Sequence, residues 1–305
     1  MTDHPAPLVT VGLPVRDGAE HLVTALDSLL GQTLEDIEVI VADNASTDAT
    51  VEICRERAAS DPRVRLVLSD VNRGAAWNYN RLVPLARGRY FTWAAHDDVR
   101  DPRALEACAT VLDEDRGVVL AYPRTITIDG SGQVLDPGFV DDLDHPEPEP
   151  HRRLARYARH KGEQHAVFGV IRTSVLRRTR LIARCWGGDI PLLAELLLHG
   201  RFHEVPERLF LRRYHPGTSM LAHGDDAAAV VRWFDPRRGG RLPLPRTRLL
   251  GEVTVRLLTA PVPAPVRARS AAAFATGWTA TWWRHMGGEV KRAARAACGG
   301  HYQSV

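Results

Sequence analysis

Residues 89–98 read Arg89-Tyr90-Phe91-Thr92-Trp93-Ala94-Ala95-His96-Asp97-Asp98, and this stretch decides the fold. Its first half is aromatic and β-branched, the composition of a buried strand. Two adjacent carboxylates follow at once, and a helix opens near Asp101-Pro102. Side-by-side carboxylates at a strand's carboxyl end are costly to hold without a cation. A hard divalent cation such as Mg2+ takes oxygen ligands and often shares them with substrate phosphates. The stretch therefore predicts an α/β sheet whose edge holds a metal and a phosphorylated ligand.

The same pattern repeats on both sides. Strands are expected at residues 8–13, 37–42, 64–68 and 118–122, the first broken by Pro14. Helices are expected at 22–30, 50–59, 75–86 and 102–112. Continuous apolar strands alternating with helices predict a Rossmann-like, mostly parallel sheet flanked by helices. Ligands of such sheets bind beyond the carboxyl ends of the strands. Pro14, Asp43, Asn72-Arg73 and Asp97-Asp98 all fall at such ends. Their convergence on one edge is stronger evidence than any single motif.

After Ile128 the regularity fails. Residues 129–132 (DGSG) read as a hairpin turn, and 136–150, rich in proline and acid, as a loop or a lid over the ligands. Further elements are expected as a helix at 152–160, a strand at 166–171, a helix at 192–198 and a strand at 209–213. From Asp225 the chain reads as a mostly helical, Arg/Ala-rich extension, broken at Pro261, Pro263 and Pro265. This divides the chain into a domain over 1–224 and a helical appendage over 225–305. Within the first, a regular half covers about 8–128 and an irregular half 129–224, which the family resemblance of their motifs makes a nucleotide-binding and an acceptor half.

Bulk properties narrow the function. The 305 residues are 44% hydrophobic and 25% charged, as in an ordinary globular protein. A net charge of +3 is too mild for a nucleic-acid binder. Cys54, Cys108, Cys185 and Cys298 form no C-x-x-C pair, so no zinc knuckle or redox motif is visible. They read as thiols in a reducing compartment. No signal peptide and no apolar run of membrane-spanning length is evident, so a cytoplasmic location is expected. Trp278, Trp282 and Trp283, followed by Arg284, Lys291, Arg292 and Arg295, leave two readings open. They pack on the domain or a second copy, the reading favoured here, or they touch the inner membrane surface.

Six pieces in order then resemble the family 2 glycosyltransferases of GT-A fold. They are Val11-Gly12-Leu13-Pro14-Val15-Arg16, the run from Val39 to Asp48, Asn72-Arg73-Gly74 with Asn78, Ala86-Arg87-Gly88-Arg89-Tyr90 leading to Asp97-Asp98, Gly188-Asp189, and the run from Arg213 to Ser219. The resemblance covers residues 8 to about 220. It implies that Pro14, Val15 and Arg16 line the nucleotide pocket and that Asp43 hydrogen-bonds the base. Arg73, Gly74 and Asn78 would lie near base and ribose. Asp97, with Asp98 and His215, would contact a divalent metal, Mn2+ or Mg2+. Asp189 would be the general base on the acceptor hydroxyl, giving inversion. Two positions depart from the family pattern. The usual Asp-x-Asp-Asp is here Ala95-His96-Asp97-Asp98, and His96 stands where part of a nucleotide contact is expected. The usual Glu-Asp is here Gly188-Asp189.

The resemblance implies a metal-dependent inverting transferase using a nucleotide-sugar donor, UDP-sugar favoured over dTDP- or GDP-sugar. The acceptor stays open among glycan, lipid-linked and small-molecule hydroxyls. Two rivals stand beside it. A nucleotidyltransferase also sets carboxylates and metal at a parallel edge, but residues 13–18 make a poor Gly-rich phosphate loop. A catalytically inactive sugar-nucleotide binder fits the missing first Asp. The bland alternatives are plain as well: Asp189 capping a helix, Asp43 forming an Asx turn, Arg73 a surface charge and His215 an ordinary loop histidine.

Overall fold

The computed structural model describes residues 6–218, 227–236 and 244–299. Ser219 and Asp225 lie outside them. The N-terminal part alternates as expected: β1 (Val9–Val15), α1 (Ala19–Leu30), β2 (Ile37–Asp43), α2 (Thr50–Ser60), β3 (Val64–Val67), α3 (Ala75–Asn80), β4 (Tyr90–Trp93), β5 (Val99–Arg100) and α4 (Ala104–Glu114). Every residue of β1, β2 and β4 is buried, which is why they read as unbroken apolar runs. β1 runs past Pro14 to Val15 instead of stopping at Leu13. The β1–β4 ladder pairs residues only as far as Gly12 with Trp93, so the proline lies beyond its last pair. Gly12 itself is needed for packing, because a Cβ there would sit 2.8 Å from the Phe91 ring.

The second half adds β6 (Val118–Asp129), β7 (Val134–Asp136), α5 (Pro150–Tyr157), β8 (Val170–Arg172), α6 (Thr173–Leu176), α7 (Asp189–His199) and β9 (Arg201–Tyr214). Among the described residues these strands form one sheet of order β3-β2-β1-β4-β8-β6-β9-β5, with β7 beside β6. The β1–β2, β2–β3, β1–β4 and β6–β9 pairs are parallel and the others antiparallel. The parallel set is thus mainly the N-terminal half. The sheet turns mixed where β8 inserts antiparallel between β4 and β6.

The turn at 129–132 closes the β6–β7 hairpin, with Asp129 N–H donating to the Gln133 carbonyl at 2.8 Å. The stretch 136–150, expected as a loop or a lid, is anchored at its middle. Leu143 and His145 are fully buried, and the Leu143 amide donates to the Tyr122 hydroxyl at 3.1 Å. Asp141, Leu143 and His145 form a strap packed on β6 and β9, whereas Asp136, Pro137, Gly138 and Val140 stay exposed.

Helices cover both faces. One core holds Leu22, Leu26, Leu29, Leu105 and Leu112 under β1, β2 and β4. The other holds α7, whose residues Pro191–Leu198 are all buried, with Leu154, Tyr157, Phe202 and the C-terminal helices. Those helices are α8 (Ala227–Phe234), α9 (Pro245–Thr259) and α10 (Ala264–Gly299). Leu249, Val253, Leu257, Phe274 and Trp278 are at most 3% exposed and belong to this second core. Trp278 therefore packs inward, whereas Trp283 is 57% exposed. No helix among the described residues is long and apolar enough to cross a membrane.

Candidate functional site

Where β1 and β4 part beyond Gly12 and Trp93, a cavity of about 1450 Å³ opens. The ends of β1, β2 and β4 form one wall. The segment 160–165, the start of α7, the end of β9 and the C-terminal helices form the others. A crevice at the carboxyl ends of parallel strands is the general ligand site of such sheets.

Pro14, Val15, Arg16, Asn78, His96 and Asp97 all line the cavity. Asp43 ends β2, is buried and is not among the residues lining the cavity. Its Oδ2 accepts the Ser46 amide at 3.2 Å, and its Oδ1 has no hydrogen-bond partner among the described residues. A buried acceptor left unpaired calls for a donor. Asn44 ties this strand end to the next loop: its Oδ1 accepts the Arg73 amide at 3.0 Å and its Nδ2 donates to Asn72 at 3.0 Å. Asn78 is used structurally, donating to the Ala42 carbonyl at 2.8 Å and accepting from Arg81 Nε at 2.8 Å. Arg81, which sequence reasoning missed, donates to the Asp43 carbonyl at 2.6 Å and stacks on Trp77. Arg73 is exposed and also lies over Trp77, outside the cavity lining. Gly74 has φ +85°, and a side chain there would collide with the Phe234 carbonyl, so α8 docks against it.

The acidic pair splits into two roles. Asp97 lines the cavity, with its Oδ2 3.1 Å from Nε2 of His215. Asp98 faces away. Its Oδ2 accepts from Arg212 at 2.8 Å and its Oδ1 from the Arg213 amide at 2.9 Å. Arg213 Nε in turn donates to the Asp97 carbonyl at 2.8 Å. Burial raises the pKa of Asp97, but His96, Arg212 and His215 outweigh it and hold the group below the usual carboxylate range. Burial pushes Asp98 up, and burial of Arg212 is more than offset by the two acids, so its pKa is raised. His96 rests against Gly18, where any side chain would collide with its ring. His21 meets His215 edge-on at 4.7 Å.

Asp189, the first residue of α7, lines the same cavity. Its Oδ1 accepts the Ile190 amide at 3.0 Å, and burial lifts its pKa to about 6. A helix N-terminus would favour the anion, so the raised value marks how strongly this carboxyl is desolvated. Beside it lies a charged cluster not read from the sequence. His165 sits 3.0 Å from Asp141 and 2.8 Å from Glu163, and Tyr214 donates to Glu163 at 2.7 Å. Burial opposes a charged imidazole, but the two acids raise His165 to about 9. The cluster clamps the 160–165 segment to the end of β9.

Asp97 Oδ2 and His215 Nε2 form a two-ligand edge on the cavity. Two ligands at right angles around Mg2+ or Mn2+ at ~2.1 Å are about 3 Å apart, so the pair fits such an ion. No cluster of three or more His, Cys, Asp or Glu suited to a metal occurs among the described residues. An ion here would rely on substrate oxygens and water for its other ligands, as Mg2+ commonly does. Asp98, expected as a ligand, has both oxygens committed to Arg212 and Arg213.

The fold is of the GT-A type. The glycosyl transferase family 2 model matches residues 10–182, and the chain belongs to that family. The chondroitin synthase of Escherichia coli is 34% identical over 133 residues, 44% of this chain and 19% of that protein. The hyaluronan synthase of Pasteurella multocida is 31% identical over 133 residues, 44% of this chain and 14% of that one. The chain thus spans less than a fifth of the length of these relatives. Among solved structures, S. aureus TarS 1-349 in complex with UDP-GlcNAc aligns with TM-score 0.65 at 15% identity, covering 89% of this chain and 72% of that one. The Pyrobaculum calidifontis mannosyltransferase in complex with GDP-Man and Mn2+ aligns with TM-score 0.50 at 17% identity, covering 98% and 82%.

Proposed function

We propose that the protein transfers a sugar, with inversion, from a nucleoside-diphosphate sugar to an acceptor hydroxyl. The observation that carries this is the placement of two unlike centres on one cavity. Asp97 and His215, read as the donor-side pair, and the desolvated Asp189, read as the acceptor-side base, line it together. One carboxylate positioned to take the acceptor proton, with the leaving diphosphate on the far side, gives a single displacement.

Asp43 lies at the end of β2 beside the lining residue Asn44, and a rotation that brought its unpaired Oδ1 to the cavity would offer it to the ring N–H of a pyrimidine base; on that ground a UDP- or dTDP-sugar is favoured, and of these UDP. Arg16, Val15 and Pro14 would pack along the nucleotide, and His96 would replace the family's first acid near the ribose or diphosphate. Mn2+ or Mg2+ held by Asp97 and His215 would neutralise the charge that builds on the leaving diphosphate. The buried Arg212 holds Asp98, and through the β9 end it fixes Asp97 and His215 in place. Asp189 accepts the acceptor proton. The acceptor is a glycan, a lipid-linked sugar or a small-molecule hydroxyl.

The test is calorimetric titration of UDP, dTDP and GDP, each with Mn2+ and with EDTA. Metal-dependent binding of UDP supports the reading. Binding of none of the three overturns it. Binding with no transfer or donor hydrolysis, and no effect of changing Asp189, would leave a sugar-nucleotide binder.

A further inference from the structure

We infer that the C-terminal helices complete the acceptor side of the cavity with a subsite for a neutral sugar ring, built from Trp186, Arg246, Trp278 and Trp282. The inference rests on reading the cavity as a transferase site. All four side chains line the same cavity as Asp189, and Trp186 lies three positions before it. All four lie beyond residue 182, where the family match ends.

The chemistry of the ligand follows from what these groups lack. Trp278 Nε1, Trp282 Nε1 and Arg246 Nε are buried and have no hydrogen-bond partner among the described residues. Trp278 is only 3% exposed. Buried N–H donors are normally paired, and an indole can only donate. Three such donors in one wall call for several acceptor oxygens. The donors sit among aromatic side chains that pack on one another and on the arginine, and that also line the cavity. The Arg246 guanidinium lies 5.4 Å from the Trp186 ring and 5.1 Å from that of Trp282, and the Trp278 and Trp282 rings are 5.6 Å apart. A pyranose matches both demands, with one C–H face and a rim of hydroxyl oxygens. Pockets that pair aromatic walls with a few fixed polar groups are the usual form of small-molecule sites.

Charge favours a neutral ring over a uronate or a phosphate. Arg246 Nη1 lies 3.5 Å from Glu289, whose side chain is fully buried. The Arg246 and Thr247 amides donate to that carboxylate at 3.1 and 3.3 Å. The guanidinium is therefore already balanced within the protein.

The test uses the full chain and tryptophan fluorescence. Methyl β-glucoside, methyl N-acetyl-β-glucosaminide and methyl β-glucuronide are titrated with and without saturating UDP. Wild type, Trp282→Phe and Trp278→Phe/Trp282→Phe are compared, with UDP affinity measured for each. We expect a neutral glycoside to bind wild type, and the double variant to bind it about tenfold more weakly through loss of two N–H donors. UDP affinity should stay within about twofold. Trp282→Phe, at a partly buried residue, decides the matter if the double variant does not fold. Wild type that binds UDP but no neutral glycoside, variants that bind glycosides as wild type does, or tighter binding of the glucuronide would each overturn the subsite. Glycoside binding without binding of UDP would keep the subsite and remove the donor reading instead.

Discussion

Asp97 Oδ2 lies 3.1 Å from Nε2 of His215, a contact that joins two residues 118 positions apart. It brings the chain leaving β4 to the end of β9 at the cavity. Because His96, Arg212 and His215 outweigh burial, Asp97 is ionised at neutral pH and ready for a cation. Asp97→Ala should reduce UDP affinity in Mn2+ to the level seen in EDTA. Calorimetry on the variant checks this. An unchanged difference between Mn2+ and EDTA would remove Asp97 from the metal site.

Asp189 sets a pH limb. Burial raises its pKa to about 6, so the base form fills in as pH rises through that value. Turnover should climb towards a plateau above about pH 6, and Asp189→Asn should cut it by about 10²–10⁴-fold with UDP affinity unchanged. Stability moves the other way. Between the unfolded value near 3.8 and the folded value near 6, the native state holds the extra proton, so rising pH disfavours folding. Asp189→Asn should therefore raise the melting temperature at pH 7.5, by up to about 3 kcal/mol in stability, and change it little at pH 4. Thermal melts at the two pH values check the sign.

Asp98 should behave unlike its neighbour. It is the 2.8 Å partner of Arg212, whose side chain is only 11% exposed. Removing one member of a buried pair leaves the other charge uncompensated, at a cost of about 3–5 kcal/mol. Asp98→Ala should lower the urea midpoint accordingly, while the fraction that folds still binds UDP in a metal-dependent way. Loss of metal dependence in a fully stable Asp98→Ala protein would return this residue to the metal.

The difference between these two acids was not legible in the sequence. Asp97 and Asp98 are adjacent and chemically alike, and only the return of β9 from a hundred residues away decides which one Arg212 takes. The early strands were legible because both faces of β1, β2 and β4 are buried, so each is a continuous apolar run. β9 was read over five residues instead of fourteen, because Pro206, Glu207 and Arg208 interrupt it and its long partner β6 carries Pro123 and Arg124. The pairing absorbs those residues through register shifts at Pro123 and Arg124. The Asp141–His165–Glu163 cluster was hidden for a similar reason. Asp141 comes from a strap whose composition reads as loop, and only tertiary packing buries it.

The C-terminal helices should prove necessary to the core, and one ion pair tests this. Arg256, 4% exposed on α9, donates to Glu195 of α7 at 2.9 Å and to the Leu181 carbonyl at 2.6 Å. Burial raises the pKa of Glu195 even with Arg256 in place. Arg256→Met removes the compensating charge and should cost about 3 kcal/mol or more at pH 8. The loss should shrink as pH falls towards the unfolded value of 4.5, because Glu195 then takes up a proton in the folded state and no longer needs the Arg256 charge. Adding Glu195→Gln should recover part of the loss at pH 8 and little at pH 5. Urea unfolding at the two pH values measures all three. Ending the chain before α9 should go further, since it exposes Leu192, Leu193 and Leu196 and deletes Leu249, Val253, Phe274 and Trp278 from the same core. Each buried side chain of this kind contributes about 1.5–3 kcal/mol, and their sum exceeds the usual stability of a domain. The truncated protein should show no cooperative unfolding. A soluble truncation that still binds UDP would make the helices an appendage.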